Sequence, residues 1–252
     1  MKVGTTSRMR PAMLLVLAAT VAVARTSDPY EAQRMALLRE IEQDVRDTAT
    51  YLNRRALDER VMRALATVPR HEFVQADDRE FAYENRPLPI GHGQTISQPY
   101  IVAIMTDLIE PGAGCRALEI GTGSGYQAAI LSQLCDRVYT VEIIDALGIA
   151  ARERLARLGY DNVEVRVGDG YYGWEQHAPF DAIVVTAVSS HIPPPLLRQL
   201  KPGGRMILPV GTRFTAQELV LVAKDGEGRV TTRQILPVRF VPLTGDHPRE
   251  ND

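Results

Sequence analysis

The sequence predicts an α/β fold with a mostly parallel sheet and helices on both faces. From Arg116 onward, short apolar runs alternate with segments of helical periodicity, which is the pattern of βαβ units. A glycine-rich turn follows the first of these runs, where a strand would end and a helix would begin. The length of 252 residues, with 45% hydrophobic and 24% charged residues, suffices for one large domain.

The elements of this core follow from the periodicity. Strands are predicted at 117–120, 138–141, 163–167, 180–186 and 205–209, and helices at 126–134, 147–158 and 192–200. After Gly211 the helical spacing disappears. The segments 218–223 and 230–241 are therefore predicted as strands that end the sheet.

Two short helices are predicted ahead of the core. The apolar residues between Leu37 and Val45 share one helical face, and those between Val61 and Ala66 share another. The segment 83–91 contains two prolines, which forbid regular helix and predict an extended loop. A third helix has its apolar residues, from Tyr100 to Leu108, on one side and is stopped by Pro111 and the following glycine.

Residues 1–24 have the layout of a secretory signal peptide. Lys2, Arg8 and Arg10 precede an apolar run from Ala12 to Ala24, which ends in the small-x-small sequence of a cleavage site. The run is shorter than the roughly 20 residues that a membrane-spanning helix needs. The alternative is that translation starts later, for example at Met35, so that this stretch is not part of the working protein.

Composition and missing motifs narrow the function. The net charge of −2, without a long run of like charges, favours a small or peptide ligand over a nucleic acid. Cys115 and Cys135 lack metal or redox spacing and are predicted as two small buried hydrophobic side chains. The five histidines show no metal-binding spacing, and neither a phosphate-binding loop with its lysine nor a Gly-x-Ser-x-Gly elbow occurs.

The glycine-rich turn indicates a ligand site. Gly121, Gly123 and Gly125 occupy alternate positions after Ile120, and glycine permits both unusual backbone angles and close approach of a ligand to the main chain. The dinucleotide fingerprint needs its third glycine one place later, at Tyr126, so hydride transfer is disfavoured. A glycine turn that binds nothing is the alternative.

Acidic residues follow the next two predicted strands. Glu142 lies 21 residues after Gly121, where a carboxylate can accept hydrogen bonds from both ribose hydroxyls. Asp169 lies between two glycines after the third strand. Because parallel strands end at one edge of a sheet, the ordered set predicts a nucleoside pocket, although Glu142 alone could be a solvated strand end.

At this point the chain resembles S-adenosylmethionine-dependent methyltransferases with their Rossmann-like sheet, and within them the protein-L-isoaspartate (D-aspartate) O-methyltransferase family. The resemblance runs from about Leu57 to Thr244. The segment 95–99, Thr-Ile-Ser-Gln-Pro, is specific to this family, whereas the glycine turn is common to many methyltransferases. The segments that carry the resemblance are 68–74, 93–100, 118–127, 168–170, 178–183, 201–205 and 238–243.

The resemblance implies methyl transfer from S-adenosylmethionine to the free α-carboxylate of an L-isoaspartyl residue in damaged proteins and peptides. It implies Ser97 as the catalytic residue at the acceptor carboxylate; the alternative is that Ser97 caps the helix that begins near Gln98. No role carries over to the segment 143–145. The implied cofactor-binding residues are Thr95, Ile96, Gly121, Thr122, Gly123, Gly125, Glu142, Asp169, Gly170 and Thr244.

The predicted organisation is a signal segment, 1–24, followed by one methyltransferase domain, 25–252. The domain comprises a helical arm and loop (25–90), a cofactor-binding α/β core (91–211) and C-terminal strands with a tail (212–252). Expected partners are isoaspartyl proteins and peptides, with no nucleic acid and no stable membrane span, and a monomer is favoured.

Two other functions stay open. One is methylation of a small-molecule carboxylate, and the other is an exported binding protein that keeps the fold without catalysis. The signal-like N-terminus motivates the second. The cytoplasmic supply of S-adenosylmethionine and the family favour a cytoplasmic location, with periplasmic export as the alternative.

Overall fold

A computed structural model describes residues 1, 2, 4, 28–212 and 214–246, so the predicted signal run and its cleavage site lie outside the described residues. The centre is a seven-stranded sheet of β3 Arg116–Ile120, β4 Arg137–Glu142, β5 Val163–Val167, β6 Phe180–Val185, β7 Leu200–Val210, β8 Gln217–Lys224 and β9 Val230–Val238. The strands lie in the order β5-β4-β3-β6-β7-β8-β9. Strands β3 to β7 are parallel, and β8 and β9 are antiparallel to their neighbours.

The strand order confirms the predicted α/β class. From β3 the chain proceeds outward to β4 and β5, then returns to β6 on the other side of β3. Such a reversal opens a crevice at the carboxyl ends of the strands, where open α/β sheets bind ligands. The helices are α1 Glu31–Asp47, α2 Ala49–Leu52, α3 Glu59–Thr67, α4 Pro99–Leu108, α5 Tyr126–Ser132, α6 Asp145–Arg157 and α7 Pro194–Gln199.

The strand side chains alternate between two buried layers. Ala117 and Val138 pack in the layer that contains α1, α3, α4 and α5. Leu118 and Tyr139, the next residue of each strand, pack on the opposite face with Trp174. This period of two, with apolar residues on both faces, is the pattern of a parallel sheet covered on both sides.

The predicted loop at 83–91 contains a strand that the sequence analysis missed. Leu88–Gly91 (β1) pairs antiparallel with Gln94–Ile96 (β2). His92 and Gly93 between them have φ angles of 53° and 69°, and a two-residue turn with both φ angles positive joins tight hairpins. The hairpin carries the chain to Ser97 at its exit.

The prediction for the two cysteines was wrong, because Cys115 and Cys135 form a disulfide. Both are buried, as predicted. Cys115 lies one residue and Cys135 two residues before the adjacent parallel strands β3 and β4, so the two cysteines meet at the amino edge of the sheet with Cα atoms 4.6 Å apart. The pairing follows from strand order, which the cysteine spacing does not reveal.

The membrane prediction is tested for part of the chain. Among residues 28–212 and 214–246, no helix has the length and apolar character needed to cross a bilayer.

Candidate active site

The glycine turn is built for close approach. Gly121, Gly123 and Gly125 all have positive φ angles, of 91°, 53° and 87°. The hydroxyl of Thr186, at the end of β6, donates to the carbonyl oxygen of Gly121 at 2.7 Å. A Cβ at Gly121 would lie 2.5 Å from that hydroxyl oxygen. Glycine is therefore required at this position by both conformation and space.

Glu142 ties the second strand to this turn. Its carboxylate accepts hydrogen bonds from the backbone N–H of Gly123 at 2.7 Å and of Ile144 at 3.0 Å. The side chain is buried, which excludes the solvated strand end. Glu142 lines a cavity together with Gly121, Gly123 and Gly170, so the structure brings these predicted cofactor-binding residues to one place.

The third strand supplies the other predicted residues of this edge. Asp169 accepts a hydrogen bond from the backbone N–H of Tyr171 at 2.9 Å. Gly170 packs so tightly on Ile120 that a Cβ would overlap that side chain. Gly170 lines the cavity, whereas Asp169 is not one of its lining residues and packs against Gly245.

The segment 241–244, which follows β9, forms another part of the cavity lining. After β9 the chain bridges to the segment that follows β6: the N–H of Val188 donates to Val241, and the N–H of Leu243 donates to Val188, each at 2.8 Å. Thr244, predicted at this position, is thereby held at the wall of the cavity, together with Pro242.

Several residues that line the cofactor cavity were not predicted from the sequence. Ile143 and Ile144 line the cavity beside Glu142, although no role was assigned to them. Two branched apolar residues directly after a strand-end acid were a usable signal, because exposed strand ends are ordinarily polar and ligand cavities are mostly apolar. The other unpredicted lining residues include Gln94, Thr186, Ala187, Val241, Pro242 and Leu243.

Two predicted residues of the turn face inward. Gly125 starts α5 in a left-handed conformation and packs against Leu155, behind the turn. Thr122 is buried and shares a hydrogen bond of 2.6 Å with Thr140. Thr122 lines a small inner cavity that continues beneath the turn, whereas Gly125 does not.

A buried carboxyl group, also missed, lies at the inner end. Glu119 in β3 is fully buried and accepts a hydrogen bond of 2.6 Å from the hydroxyl of Thr140. Burial raises the pKa of Glu119 to about 8, and the charge of Glu142 adds to the rise. The Oε1 atoms of Glu119 and Gln127 have no hydrogen-bond partner within the part of the chain that the structure describes, and both residues line the inner cavity.

Ser97 lies where this inner cavity meets a larger groove. It is half-buried and lines both the inner cavity, with Gly121 and Gly123, and a groove of about 620 Å³ that also contains Gln98 and Arg239. Thr95 lines both as well, from an exposed position. Ile96 is buried and borders the inner cavity.

The capping alternative for Ser97 is wrong. The residue at the N-cap of α4 is Gln98, which makes no side-chain cap hydrogen bond, and the Asn85 side chain accepts from the N–H of Tyr100 at 3.0 Å. Within residues 28–212 and 214–246, the Ser97 hydroxyl makes no hydrogen bond. It is therefore available to a ligand in the groove.

The site fits the cofactor that the sequence implies. A carboxylate at the ribose position, a bare glycine turn and two isoleucines suit a nucleoside. The unpartnered buried oxygens of Glu119 and Gln127 suit a cationic group at the inner end. S-adenosylmethionine combines a nucleoside with such cationic groups.

The fold and the site define an S-adenosylmethionine-dependent methyltransferase. A family model, protein-L-isoaspartate(D-aspartate) O-methyltransferase, matches residues 47–248. The chain belongs to this family.

Curated relatives agree with this membership. The chain is 64% identical over 235 residues to protein-L-isoaspartate O-methyltransferase 2 of Syntrophobacter fumaroxidans, which covers 93% of this chain and 95% of the relative. It is 65% identical over 209 residues to the enzyme of that name from Polaromonas, covering 83% and 99% respectively.

Solved structures show the same fold. A protein-L-isoaspartate O-methyltransferase structure superposes with a TM-score of 0.74 and 28% identity, covering 84% of this chain and 66% of that one. A Plasmodium falciparum structure that contains S-adenosyl-L-homocysteine superposes with a TM-score of 0.68 and 24% identity, covering 86% and 99%.

Proposed function

We propose that this chain transfers a methyl group from S-adenosylmethionine to the free α-carboxylate of L-isoaspartyl residues in damaged proteins and peptides. The observation that carries the proposal is the unpartnered hydroxyl of Ser97 at the junction of the cofactor cavity and the groove. The resulting ester would close to a succinimide without the enzyme, and hydrolysis of the succinimide would regenerate some normal aspartate.

The chemistry asks little of the protein as acid or base. An acceptor carboxylate with a pKa of about 4 is already ionised at neutral pH, so no general base is required. S-adenosylmethionine supplies an electrophilic methyl on a sulfonium. Ser97 would donate one hydrogen bond to the acceptor carboxylate and hold it in line. Such orientation can lower a barrier by up to about 7 to 11 kcal/mol.

The remaining predicted residues would hold the cofactor. Glu142 has carboxylate lone pairs left for ribose hydroxyls beyond its two backbone bonds. The walls would enclose the nucleoside and exclude water, which favours reaction between an anion and a cation. Residues in this role are Thr95, Ile96, Gly121, Thr122, Gly123, Glu142, Asp169, Gly170 and Thr244, with Gly125 acting from behind the turn.

The groove favours a peptide over a small-molecule acceptor. The groove has a volume of about 620 Å³ and is lined by Ser97 and by the segment 237–241, whose last residue, Val241, also lines the cofactor cavity. A peptide could lie along the groove with one side chain at Ser97. The non-catalytic alternative is disfavoured because Ser97 faces the cavity without a structural hydrogen bond. We also propose a monomer without a nucleic-acid partner, in keeping with the near-neutral charge.

Different features of the protein favour opposite compartments. The signal-like N-terminus and the disulfide favour export, because structural disulfides persist in oxidising compartments. The supply of S-adenosylmethionine favours the cytoplasm. Mass spectrometry of the mature N-terminus tests the signal: a start at Arg25 means cleavage, whereas a retained Met1 or a start at Met35 means none.

The activity test is transfer of radiolabelled methyl to an isoaspartyl peptide, with its normal aspartyl twin as control. Base-labile label on the isoaspartyl peptide alone is the expected result. Calorimetric binding of the cofactor without transfer would contradict the acceptor and point to a small-molecule carboxylate. Absence of cofactor binding would leave the non-catalytic alternative.

A further inference from the structure

Arg70 is a buried cation without a carboxylate partner. It lies in the 3-10 turn Arg70–Glu72 and has no solvent exposure. Within the described parts of the chain it forms no salt bridge, and its Nη1 atom has no hydrogen-bond partner. Burial lowers the pKa of Arg70 to about 10, so the guanidinium is still charged at neutral pH.

The guanidinium instead holds three separate segments. Its Nε donates to the carbonyl oxygen of Ala82 at 2.8 Å, and its Nη2 donates to the carbonyl oxygens of Ser97 at 2.9 Å and of Arg86 at 3.4 Å. The group also lies over the ring of Tyr126, 4.9 Å from its centroid. Tyr126 is the first residue of α5, directly after Gly125.

These contacts join the two halves of the active site. Ser97 belongs to the acceptor side, and Tyr126 belongs to the helix that begins at the glycine turn. Arg70 donates to the carbonyl oxygen of Ser97 and thereby fixes the backbone of that residue.

Arg70 supplies donors to three backbone carbonyl oxygens, and a buried acceptor left without a donor destabilises the fold. A planar guanidinium can donate in several fixed directions at once while stacking on a ring, which lysine cannot do. What this arginine adds is therefore a fixed geometry between Ser97 and the glycine turn.

We propose that Arg70 is a positioning residue that sets the Ser97 hydroxyl relative to the methyl donor. The proposal rests on the acceptor role of Ser97. It implies that altering Arg70 lowers kcat with little change in cofactor affinity, because alignment matters for the reaction step, and a shift of about 1 Å can cost about 100-fold in rate.

The test combines Arg70→Lys with Ser97→Ala. Arg70→Lys should lower kcat for an isoaspartyl peptide by about 10- to 100-fold, while calorimetric affinity for S-adenosylhomocysteine stays near the wild-type value. If Arg70 acts through Ser97, the double variant should be no slower than Ser97→Ala alone. Multiplying effects in the double variant would overturn the proposal.

Arg166→Lys is the matched control. Arg166 also stacks on a ring, Trp174 at 4.8 Å, and donates to a backbone carbonyl, Gly173 at 2.6 Å. It should lose thermal stability as Arg70→Lys does but keep the wild-type kcat. An equal loss of kcat in the control would mean that Arg70 acts through stability and would overturn the proposal.

The experiment distinguishes failure of the Ser97 role from failure of the Arg70 role. A wild-type rate in Ser97→Ala would refute the role of Ser97 itself, whereas a slow Ser97→Ala with multiplying effects refutes Arg70 alone. If Arg70→Lys does not fold, Arg70→Gln replaces it, because a neutral amide buries no charge and can still donate to one carbonyl. The same absence of additivity with Ser97→Ala is expected, and multiplying effects would again overturn the proposal.

Discussion

The cofactor side and the acceptor side of this site are built in different ways. On the cofactor side, each group follows a strand of one parallel sheet, and backbone bonds such as that from Gly123 to Glu142 hold it. On the acceptor side, Ser97 follows a hairpin outside the sheet and is fixed from Arg70, 27 residues earlier in the chain. The cofactor side is built from successive strand ends of one sheet, whereas the acceptor side depends on contacts between residues that are distant in sequence.

This difference implies a separation of effects. Changes on the cofactor side should act on cofactor affinity, because they alter the surface that the ligand touches. Changes on the acceptor side should act on turnover, because they alter alignment.

Glu119 lines the inner cavity, which borders both the cofactor side and the acceptor side. Its protonation should dominate the pH dependence of the free energy of unfolding. Its pKa is raised from 4.5 to about 8 in the folded chain, so the folded state binds one more proton than the unfolded state between these values. This stability is fully present below pH 4.5 and is lost as the pH rises through about 8. The difference amounts to about 5 kcal/mol.

Glu119→Gln should remove this decrease of the free energy of unfolding with rising pH. The free energy of unfolding of the ligand-free variant, measured by urea titration across this pH range, should exceed that of wild type increasingly as the pH rises. Glu164→Gln, an exposed carboxylate on β5, is the control and should keep the wild-type slope. Parallel curves for wild type and Glu119→Gln would contradict the prediction.

The disulfide lies at the amino edge, away from both sides, and should affect neither. Changing Cys115 and Cys135 to Ser opens a loop with a sequence separation of 20, which should cost about 3 kcal/mol of stability. For a chain of this size that lowers Tm by about 6 to 12 °C.

Calorimetric affinity for S-adenosylhomocysteine and kcat should both stay at wild-type values in this cysteine double variant. Dithiothreitol should lower the Tm of wild type and leave that of the variant unchanged. A loss of cofactor affinity in the variant would show that the amino edge is coupled to the site.

The same contrast explains what the sequence could predict. The strands, the glycine turn and Glu142 follow from periodicity and local residue types, and the structure has each of them, although β7 begins five residues earlier and β9 ends three residues earlier than predicted. The hairpin at 88–96, the Cys115–Cys135 bond and the Arg70–Ser97 contact join residues that are distant in sequence or lack a periodic pattern. Such pairings are set by the assembled fold.

One missed residue was within reach of sequence reasoning. Glu119 stands between apolar residues of β3 at a buried position, and buried acids are rare unless they have a function or a partner. The helix predicted at 192–200 was too long, because α7 spans Pro194–Gln199. Leu200 instead begins β7, since pairing with β6 extends that strand.

Gly121→Ala should break the cofactor side. A side chain at φ of 91° costs about 1 to 2 kcal/mol, and the Cβ would also overlap the Thr186 hydroxyl. The displaced turn should weaken binding of S-adenosylhomocysteine by about 100-fold. Gly228→Ala is the control, since Gly228 has φ of 82° but open space around it; it should lose stability and keep affinity. Equal affinities in both variants would contradict the prediction.

Ser97→Ala should break the acceptor side alone. A hydrogen bond to a charged group contributes about 1.5 to 3 kcal/mol, so kcat with an isoaspartyl peptide should fall by roughly 10- to 100-fold. Affinity for S-adenosylhomocysteine should hold, because the hydroxyl supports no structure: it makes no hydrogen bond within residues 28–212 and 214–246.

Ser190→Ala makes the matched change at an exposed serine whose hydroxyl contacts His191 at 3.0 Å, and it should turn over at the wild-type rate. If Ser97→Ala kept full turnover, Ser97 would have no acceptor role. If it lost cofactor affinity instead, the division between a cofactor side and an acceptor side would fail at this residue, because Ser97 borders both cavities.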